Sequence, residues 1–127
     1  MEVLDSNATP WLLSLNPYDS TIPAEYQLKD GSCTIGRSNT NQIVVLQSTA
    51  SRQHACIERQ GRTYVLFDLG STNGTFVNRQ PVYDIHILTY GDVIGFGDPR
   101  PLVQFVRHQY QPDTNCRLSP ENAISDI

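Results

Sequence analysis

The sequence predicts an all-β domain folded as a β-sandwich, and three features support this. The apolar segments are short and rich in Val, Ile, Leu, Tyr and Phe, and Gly, Asn, Asp or Pro interrupt them every several residues, as in strands joined by turns. No stretch inside this region has the spacing of an amphipathic helix. The length of 127 residues suits a single domain. Many short strands in one domain favour two packed sheets.

Eleven segments qualify as strands, in chain order: residues 11–15, 25–28, 32–35, 42–46, 53–58, 63–68, 75–78, 80–82, 85–88, 92–96 and 102–107. In the first, the two-residue period puts Trp11, Leu13 and Leu15 on one face, which we expect to contribute to the core. In the last, Val103 and Phe105 alternate with Leu102 and Val106. Each of these two strands therefore supplies an apolar face.

Polar connections separate the strands. Asp30-Gly31 and Gln60-Gly61 suit tight turns, and three longer stretches rich in turn residues are Gly36 to Asn41, Gln47 to Ser51 and Gly70 to Gly74. The three longer loops are where we expect the chemistry of the protein to lie.

The strand pattern also sets the expected domain limits. Residues 1–10 are predicted to be an N-terminal extension, residues 11–107 the domain, and residues 108–127 a tail or a linker to a further domain. Within the tail, Ser119-Pro120-Glu121 is the one hint of a helix start, with a capping Ser followed by Pro.

The charge distribution narrows the class of ligand. A net charge of −4 argues against nucleic acid, whose binding depends on many Lys and Arg contacts to phosphates. Residues 31–80, however, contain five Arg residues against two acidic ones, which suggests a local site for one small anion. No apolar run approaches the roughly 18 residues of a membrane-spanning helix, and no signal peptide is recognisable. We expect a cytoplasmic domain that binds no membrane.

The three cysteines, Cys33, Cys56 and Cys116, form no close pair in the sequence. This spacing disfavours both a disulfide framework and a thiolate metal site. We expect free thiols, with Cys33 and Cys56 buried in strands.

Each of the three longer loops, with its flanks, carries a short polar element. Gly36-Arg37-Ser38 combines a Gly that lets the chain turn with an Arg whose planar guanidinium can fork onto phosphate oxygens. Ser51-Arg52-Gln53-His54 adds a hydroxyl and a second guanidinium. Gly70-Ser71-Thr72-Asn73-Gly74 is a compact turn between apolar strands. Each element alone is common, so only their joint occurrence is informative.

In this order and at these separations, the three elements resemble the motif of the forkhead-associated (FHA) domain family: Gly-Arg, then Ser-x-x-His, then Asn-Gly. Asn41-Gln42-Ile43-Val44-Val45 and Tyr90-Gly91-Asp92-Val93-Ile94 extend the likeness, which covers about residues 11–107. The resemblance implies an eleven-stranded β-sandwich of two twisted sheets, FHA/SMAD-like, with its binding loops at one end. It further implies a signalling module that binds phosphothreonine on a partner protein and uses no catalysis, cofactor or metal.

The resemblance also implies roles for individual residues. The residues expected to bind the phosphopeptide are Arg37, Ser38, Ser51, Arg52, Thr72 and Asn73, and those expected to support the binding loops are Gly36, His54 and Gly74. Arg37 and Ser51 are assigned to the phosphate, with Asn73 on the peptide backbone. Some family members carry a basic residue where this chain has Thr49, so one phosphate contact is expected to be weaker. Arg79 is a candidate reader of residues that follow the phosphothreonine.

Two alternatives in other classes are weaker. A hydrolase would use Ser51 or Ser71 as nucleophile, His54 or His86 as base and Asp68 as orienter, but the strand-turn-helix context of a nucleophile elbow is missing. A metal site would have to start from His54 and Cys56, which share a strand face by the two-residue period, but the Cys-x-x-Cys and His-x-x-x-His spacings are absent.

A stronger alternative is a phosphorylation-independent interaction or oligomerisation domain that uses a sheet surface or an edge strand, since fold alone does not fix function. Retention of the phosphate-site residues argues against this as the main role. We expect a monomer when the chain is unphosphorylated.

Overall fold

The computed structural model describes residues 9–16, 21–29 and 31–107. The predictions about Cys116 and Ser119-Pro120-Glu121 lie outside these residues. The described strands are β1 (Trp11–Ser14), β2 (Glu25–Gln27), β3 (Ser32–Gly36), β4 (Ile43–Val44), β5 (Ala55–Gln60), β6 (Thr63–Asp68), β7 (Thr75–Val77), β8 (Gln80–Pro81), β9 (Ile85–Ile87), β10 (Val93–Phe96) and β11 (Val103–Val106). Each predicted strand is present, most of them shortened by one or more residues, and no helix occurs among the described residues.

The strands form two sheets, which confirms the predicted sandwich. One sheet has six strands in the order β2-β1-β11-β10-β7-β8, and the other has five in the order β4-β3-β5-β6-β9. The strand pairs of the six-stranded sheet are antiparallel, whereas β3 and β4 pair in parallel in the other sheet. The longest ladder joins β5 to β6, where a tight turn at Gly61 connects the strands in register.

The core lies between the two sheets, and its largest fully buried apolar side chains are Leu12, Ile35, Ile43, Ile57, Leu66, Ile94 and Phe96. The prediction for β1 was wrong in its choice of face. Leu12 is 1% exposed and points into the core, whereas Leu15 is 41% exposed. Trp11, Leu12 and Leu13 are successive large apolar residues, so the two-residue period could not choose between the faces of β1. In β11 the expected Val103 and Phe105 are buried.

The same topology brings the three polar loops to one end of the sandwich. Strand β3 ends at Gly36 and pairs antiparallel with β5, which begins at Ala55. Strand β6 ends at Asp68 beside Ala55, and β7 begins after the following loop. Strand ends that are neighbours in a sheet therefore fix the positions of the loops.

Two further predictions concern cysteines and membrane segments. Cys33 and Cys56 are buried free thiols, as expected. Burial raises the pKa of Cys33 to about 12, with a further contribution from nearby Cys56. Within the part of the chain that the structure describes, no helix is long and apolar enough to span a membrane.

Candidate functional site

Ser51 is the point where the three loops meet. Its amide donates to Nδ1 of His54 (2.9 Å), and its carbonyl accepts from the amide of Arg37 (2.9 Å). Its Oγ accepts from the amide of Thr72 (3.0 Å). Because that oxygen accepts from within the protein, its proton can be donated to a ligand.

His54 holds this arrangement from inside. The imidazole is fully buried (0% exposed), and its Nε2 lies 2.8 Å from the carbonyl oxygen of Gly74. Since Nδ1 accepts from the Ser51 amide, the proton lies on Nε2 and is donated to Gly74. Burial lowers the pKa of His54 and outweighs the opposing effects of Gly74 and Asp68. A neutral His54 thus joins the loop before β5 to the loop before β7.

Arg37 is anchored by one nitrogen and exposed at the others. Its Nε donates to the carbonyl of Ala50 (2.8 Å), and its side chain lies at the protein surface. Within the described part of the chain, its two terminal nitrogens have no hydrogen-bond partner. The guanidinium is therefore positioned beside the Ser51 loop with two donor groups available to an anion.

Gly36 permits a close approach between backbones. A Cβ at this position would collide with the carbonyl of Arg52 and would lie 2.9 Å from Nδ2 of Asn41. We expected both Gly36 and Gly74 to be needed for positive φ. This is correct for Gly74, with φ of 92°, but Gly36 does not have positive φ and is required because the backbone of the loop before β5 passes close to it at Arg52.

Asn41 is a supporting residue to which sequence reasoning gave no role. It is buried, and its Nδ2 donates to the carbonyls of Ser38 (2.9 Å) and Arg52 (2.8 Å). It therefore ties the Gly36–Asn41 loop to the start of β5. The available signal was its position in the stretch that resembles the FHA family, since Asn side chains commonly bond to loop backbone.

Asp68 organises the loop between β6 and β7. Its carboxylate accepts from the amide and Oγ of Ser71 (3.1 and 2.5 Å) and from Oγ1 of Thr75 (2.7 Å). Burial alone would raise the pKa of Asp68, but these hydrogen bonds and nearby His54 lower it overall. The anionic carboxylate fixes the turn that presents Thr72 and Asn73.

The side chains of Thr72 and Asn73 are exposed at the tip of this turn. Nδ2 of Asn73 donates to the carbonyl of Thr49 (2.9 Å), which leaves its second amide hydrogen and its carbonyl oxygen for a ligand. Ser38 Oγ lies 2.9 Å from Oγ1 of Thr40. All six residues expected to bind a phosphopeptide thus belong to loops at one end of the sandwich.

The hydrolase constellation is not assembled. Both ring nitrogens of His54 bond to backbone groups, and Ser71 Oγ donates to Asp68 while accepting from the amide of Gly74. His86 instead bonds to Asp92, 3.0 Å away. The hydroxyl of neither candidate serine is paired with a histidine in these hydrogen bonds. Among the described residues, no group of three or more His, Cys, Asp or Glu could hold a metal ion.

Arg79 lies away from the loop cluster. Asn78 and Arg79 form a two-residue turn with positive φ at both positions (52° and 68°), and this turn joins β7 to β8. It occupies the opposite end of β7 from Gly74, so the geometry does not support Arg79 as a reader of the peptide.

Comparison with known proteins agrees with this geometry. The model of the FHA domain family matches residues 33–97, which span all three loops. The chain belongs to the FHA domain family. FhaA of Mycobacterium tuberculosis is 42% identical over 79 residues, which are 62% of this chain and 15% of FhaA. The chain therefore spans a small part of that relative, and it spans about half of several others.

Solved FHA structures also share the fold. The structure of Mycobacterium tuberculosis EmbR in complex with a low-affinity phosphopeptide matches with a TM-score of 0.70 and 29% identity, over 82% of this chain and 26% of that one. A structure from work on phosphothreonine-dependent FHA domain interactions matches with a TM-score of 0.67 and 33% identity, over 80% and 99% of the two chains. The FHA fold is thus shared at nearly full domain length.

Proposed function

We propose that this FHA domain binds phosphothreonine-containing segments of partner proteins, through the loop end of the sandwich and without catalysing a reaction. The observation that carries the proposal is that the side chains of Arg37 and Ser51 are each anchored by one polar atom and still have a donor for a ligand. The anchoring atoms hold the loops together, Nε on Ala50 and Oγ on the Thr72 amide.

These donors suit a phosphate monoester. A phosphothreonine carries about −1.5 to −2 charges and three strong acceptor oxygens, so it needs several converging donors. The terminal nitrogens of Arg37 and the hydroxyl of Ser51 supply charge-assisted bonds. Thr72 shares the site through its hydrogen bond to Ser51, and Ser38 and Arg52 add donors at the same end.

Asn73 is proposed to bind the peptide backbone beside the phosphothreonine. Its side chain is already oriented by the bond to Thr49, so little side-chain freedom is lost on binding. Thr49 occupies the position of a basic residue in some family members, and we expect one phosphate contact fewer there. Gly36, His54 and Gly74 shape the loops without contacting the ligand.

The binding unit lies within residues 11–107, and we propose that it works in the cytoplasm. The two buried free thiols fit a reducing compartment. The complex of EmbR with a phosphopeptide supports the same class of ligand here. The partner would be a protein phosphorylated on threonine, and the chain would act by recruitment.

The test is a titration of the purified chain, by calorimetry or fluorescence anisotropy, with a degenerate phosphothreonine peptide pool. The same pool with phosphoserine, and without phosphate, provides the matched controls at fixed salt and pH. We expect binding to the phosphothreonine pool and a loss of roughly tenfold or more with phosphoserine, since one methyl is worth about 1–3 kcal/mol. Equal binding of all three pools would favour the phosphorylation-independent interaction domain.

A further inference from the structure

Strand β9 is an edge strand with an exposed apolar face. Among the described strands it pairs with β6 alone. Ile85 and Ile87 are 50% and 56% exposed, and neighbouring Tyr83 is 84% exposed. Ile85 lies opposite Phe67 in the register with β6, so the apolar face continues onto the outer side of the five-stranded sheet.

The backbone of β9 has hydrogen-bonding groups directed at the open edge. Asp84 accepts from β6 (3.1 Å), and the amide of Leu88 donates to the carbonyl of Tyr64 (2.9 Å). Bonding groups alternate between the two sides of an antiparallel strand. Ile85 and Ile87 therefore direct their backbone groups away from β6, and the Ile85 amide donates to the carbonyl of Tyr83 (3.2 Å) within its own chain.

The other three edges carry features that discourage strand addition. Strand β8 contains Pro81, which has no amide hydrogen, and β4 has two residues. Strand β2 carries the charged residue Glu25. Proteins commonly protect sheet edges by proline, short strands and charge. The β9 edge lacks these features. Residues 82–91 contain no Lys, Arg or Pro, and Asp84 is their one acidic residue.

We propose that β9 is a self-association edge, at which a second copy of this chain adds its own β9 antiparallel about a two-fold axis at His86. In that register Ile85 of one copy lies opposite Ile87 of the other, so the amide of Ile87 in each copy donates to the carbonyl of Ile85 in its partner. The four isoleucines then form one apolar row on the outer face. The arrangement is isologous, as in most homodimers.

The charge distribution along the sheet fits this antiparallel arrangement. Asp68 and Asp84 lie at one end of the β6–β9 pair, and Arg59 and Arg62 lie near the β5–β6 turn at the other end. A two-fold axis across β9 turns Asp84, the acidic residue beside the edge strand, of each copy towards the end of the other copy that carries Arg59 and Arg62. Opposite potentials across an interface favour that orientation.

The expected dimer is weak, because the exposed row is short. A stable interface buries about 1,600 Å² in total, and a three-residue strand with its neighbours offers less. Arg37 directly follows β3, and β3 is three strands away from β9 in the sheet, which is about 14 Å. The phosphopeptide sites of both copies would therefore stay open, and a doubly phosphorylated partner would bind with added avidity.

Sedimentation velocity of the whole chain, from about 10 μM to about 1 mM, tests the proposal. We expect the mass to rise towards that of two copies, and Ile87→Lys to abolish the rise. Leu15→Lys, which charges an exposed apolar residue on the other sheet, should leave it unchanged. Phosphopeptide affinity, measured separately for each variant at low concentration, checks that folding and the proposed function are intact.

Hydrogen exchange locates the interface. The amide of Ile87 should become more protected as concentration rises, whereas the amide of Gln27, on the β2 edge, should not. A chain that stays monomeric up to about 1 mM would overturn the proposal, as would a dimer indifferent to Ile87→Lys. An Ile87 amide that is protected in a monomer would show that another segment covers the edge, and would overturn it too.

Discussion

Nε2 of His54 lies 2.8 Å from the carbonyl oxygen of Gly74, and this one bond joins loops that are twenty residues apart in sequence. The opposite ring nitrogen accepts from the Ser51 amide, and the ring edge packs on Phe96, 5.8 Å between centroids. The core and two ligand-facing loops are therefore connected through a single imidazole. Its role is to position other groups.

Replacing this ring should cost both stability and binding. His54→Ala leaves a buried amide and a buried carbonyl without their side-chain partner and opens a cavity, so we expect a loss of about 3 kcal/mol in the free energy of unfolding. Urea denaturation measures this value. His86→Ala, which removes a partly exposed ring bonded to Asp92, is the matched control and should cost less. Equal losses would contradict a special role for His54.

The buried imidazole also predicts a pH dependence of stability. The pKa of His54 is lowered in the folded state by burial, so the unfolded chain binds a proton first as pH falls. Stability is therefore fully present above the unfolded pKa of about 6.5 and decreases below it, at up to about 1.4 kcal/mol per pH unit. Unfolding midpoints between pH 8 and pH 5 measure the slope, which His54→Gln should reduce. An unchanged slope would contradict the prediction.

Gly36→Ala should weaken phosphopeptide binding because the new methyl collides with the carbonyl of Arg52. The loop before β5 must then move at Arg52, and Ser51 moves with it because the two residues are adjacent in the chain. We expect a loss of affinity of about tenfold or more. Gly61→Ala, at a positive-φ turn at the other end of β5, should lower stability by about 1 kcal/mol yet preserve affinity. Loss of affinity in both variants would indicate general destabilisation.

The two buried cysteines should resist modification in the folded protein. Burial raises the pKa of Cys33 to about 12 and also raises that of Cys56, so little reactive thiolate forms at mild alkaline pH. Mass spectrometry after iodoacetamide treatment at pH 8 should show both sites unmodified, and both should be labelled in urea. Rapid labelling of Cys33 without denaturant would contradict its position in the core.

The sequence was sufficient to predict the strands and the loops between them, because alternation and turn residues are local signals. The position of the binding loops at one end was implied by the resemblance to the FHA family. Strand β6 was predicted with its observed bounds. The buried face of β1 was missed, since Trp11, Leu12 and Leu13 are all apolar. Which face of β1 is buried depends on which one packs against the other sheet. A local pattern reports that a strand has an apolar face, and the tertiary fold decides which one.

The supporting residues were harder to predict than the ligand-facing ones. Asn41 and Asp68 act through bonds to distant or turn backbone, and such contacts leave no short motif. The reason for Gly36 also depended on a loop residue sixteen positions away, Arg52, whose carbonyl fills the space of a side chain. Arg79 was suggested by its charge, but the length of β7 separates it from the loops.

Arg37→Ala should reduce affinity for a phosphothreonine peptide by about tenfold to a hundredfold, since hydrogen bonds to charged groups are worth about 1.5–3 kcal/mol. Stability should change little, because the Arg37 side chain is exposed and makes one hydrogen bond, to Ala50. Arg79→Ala removes an exposed guanidinium at the opposite end of β7, so affinity should stay within about twofold. Calorimetry at fixed salt separates the two variants. If both lowered affinity equally, the phosphate would be attracted by overall charge, and the anchored guanidinium beside Ser51 would not be its specific contact.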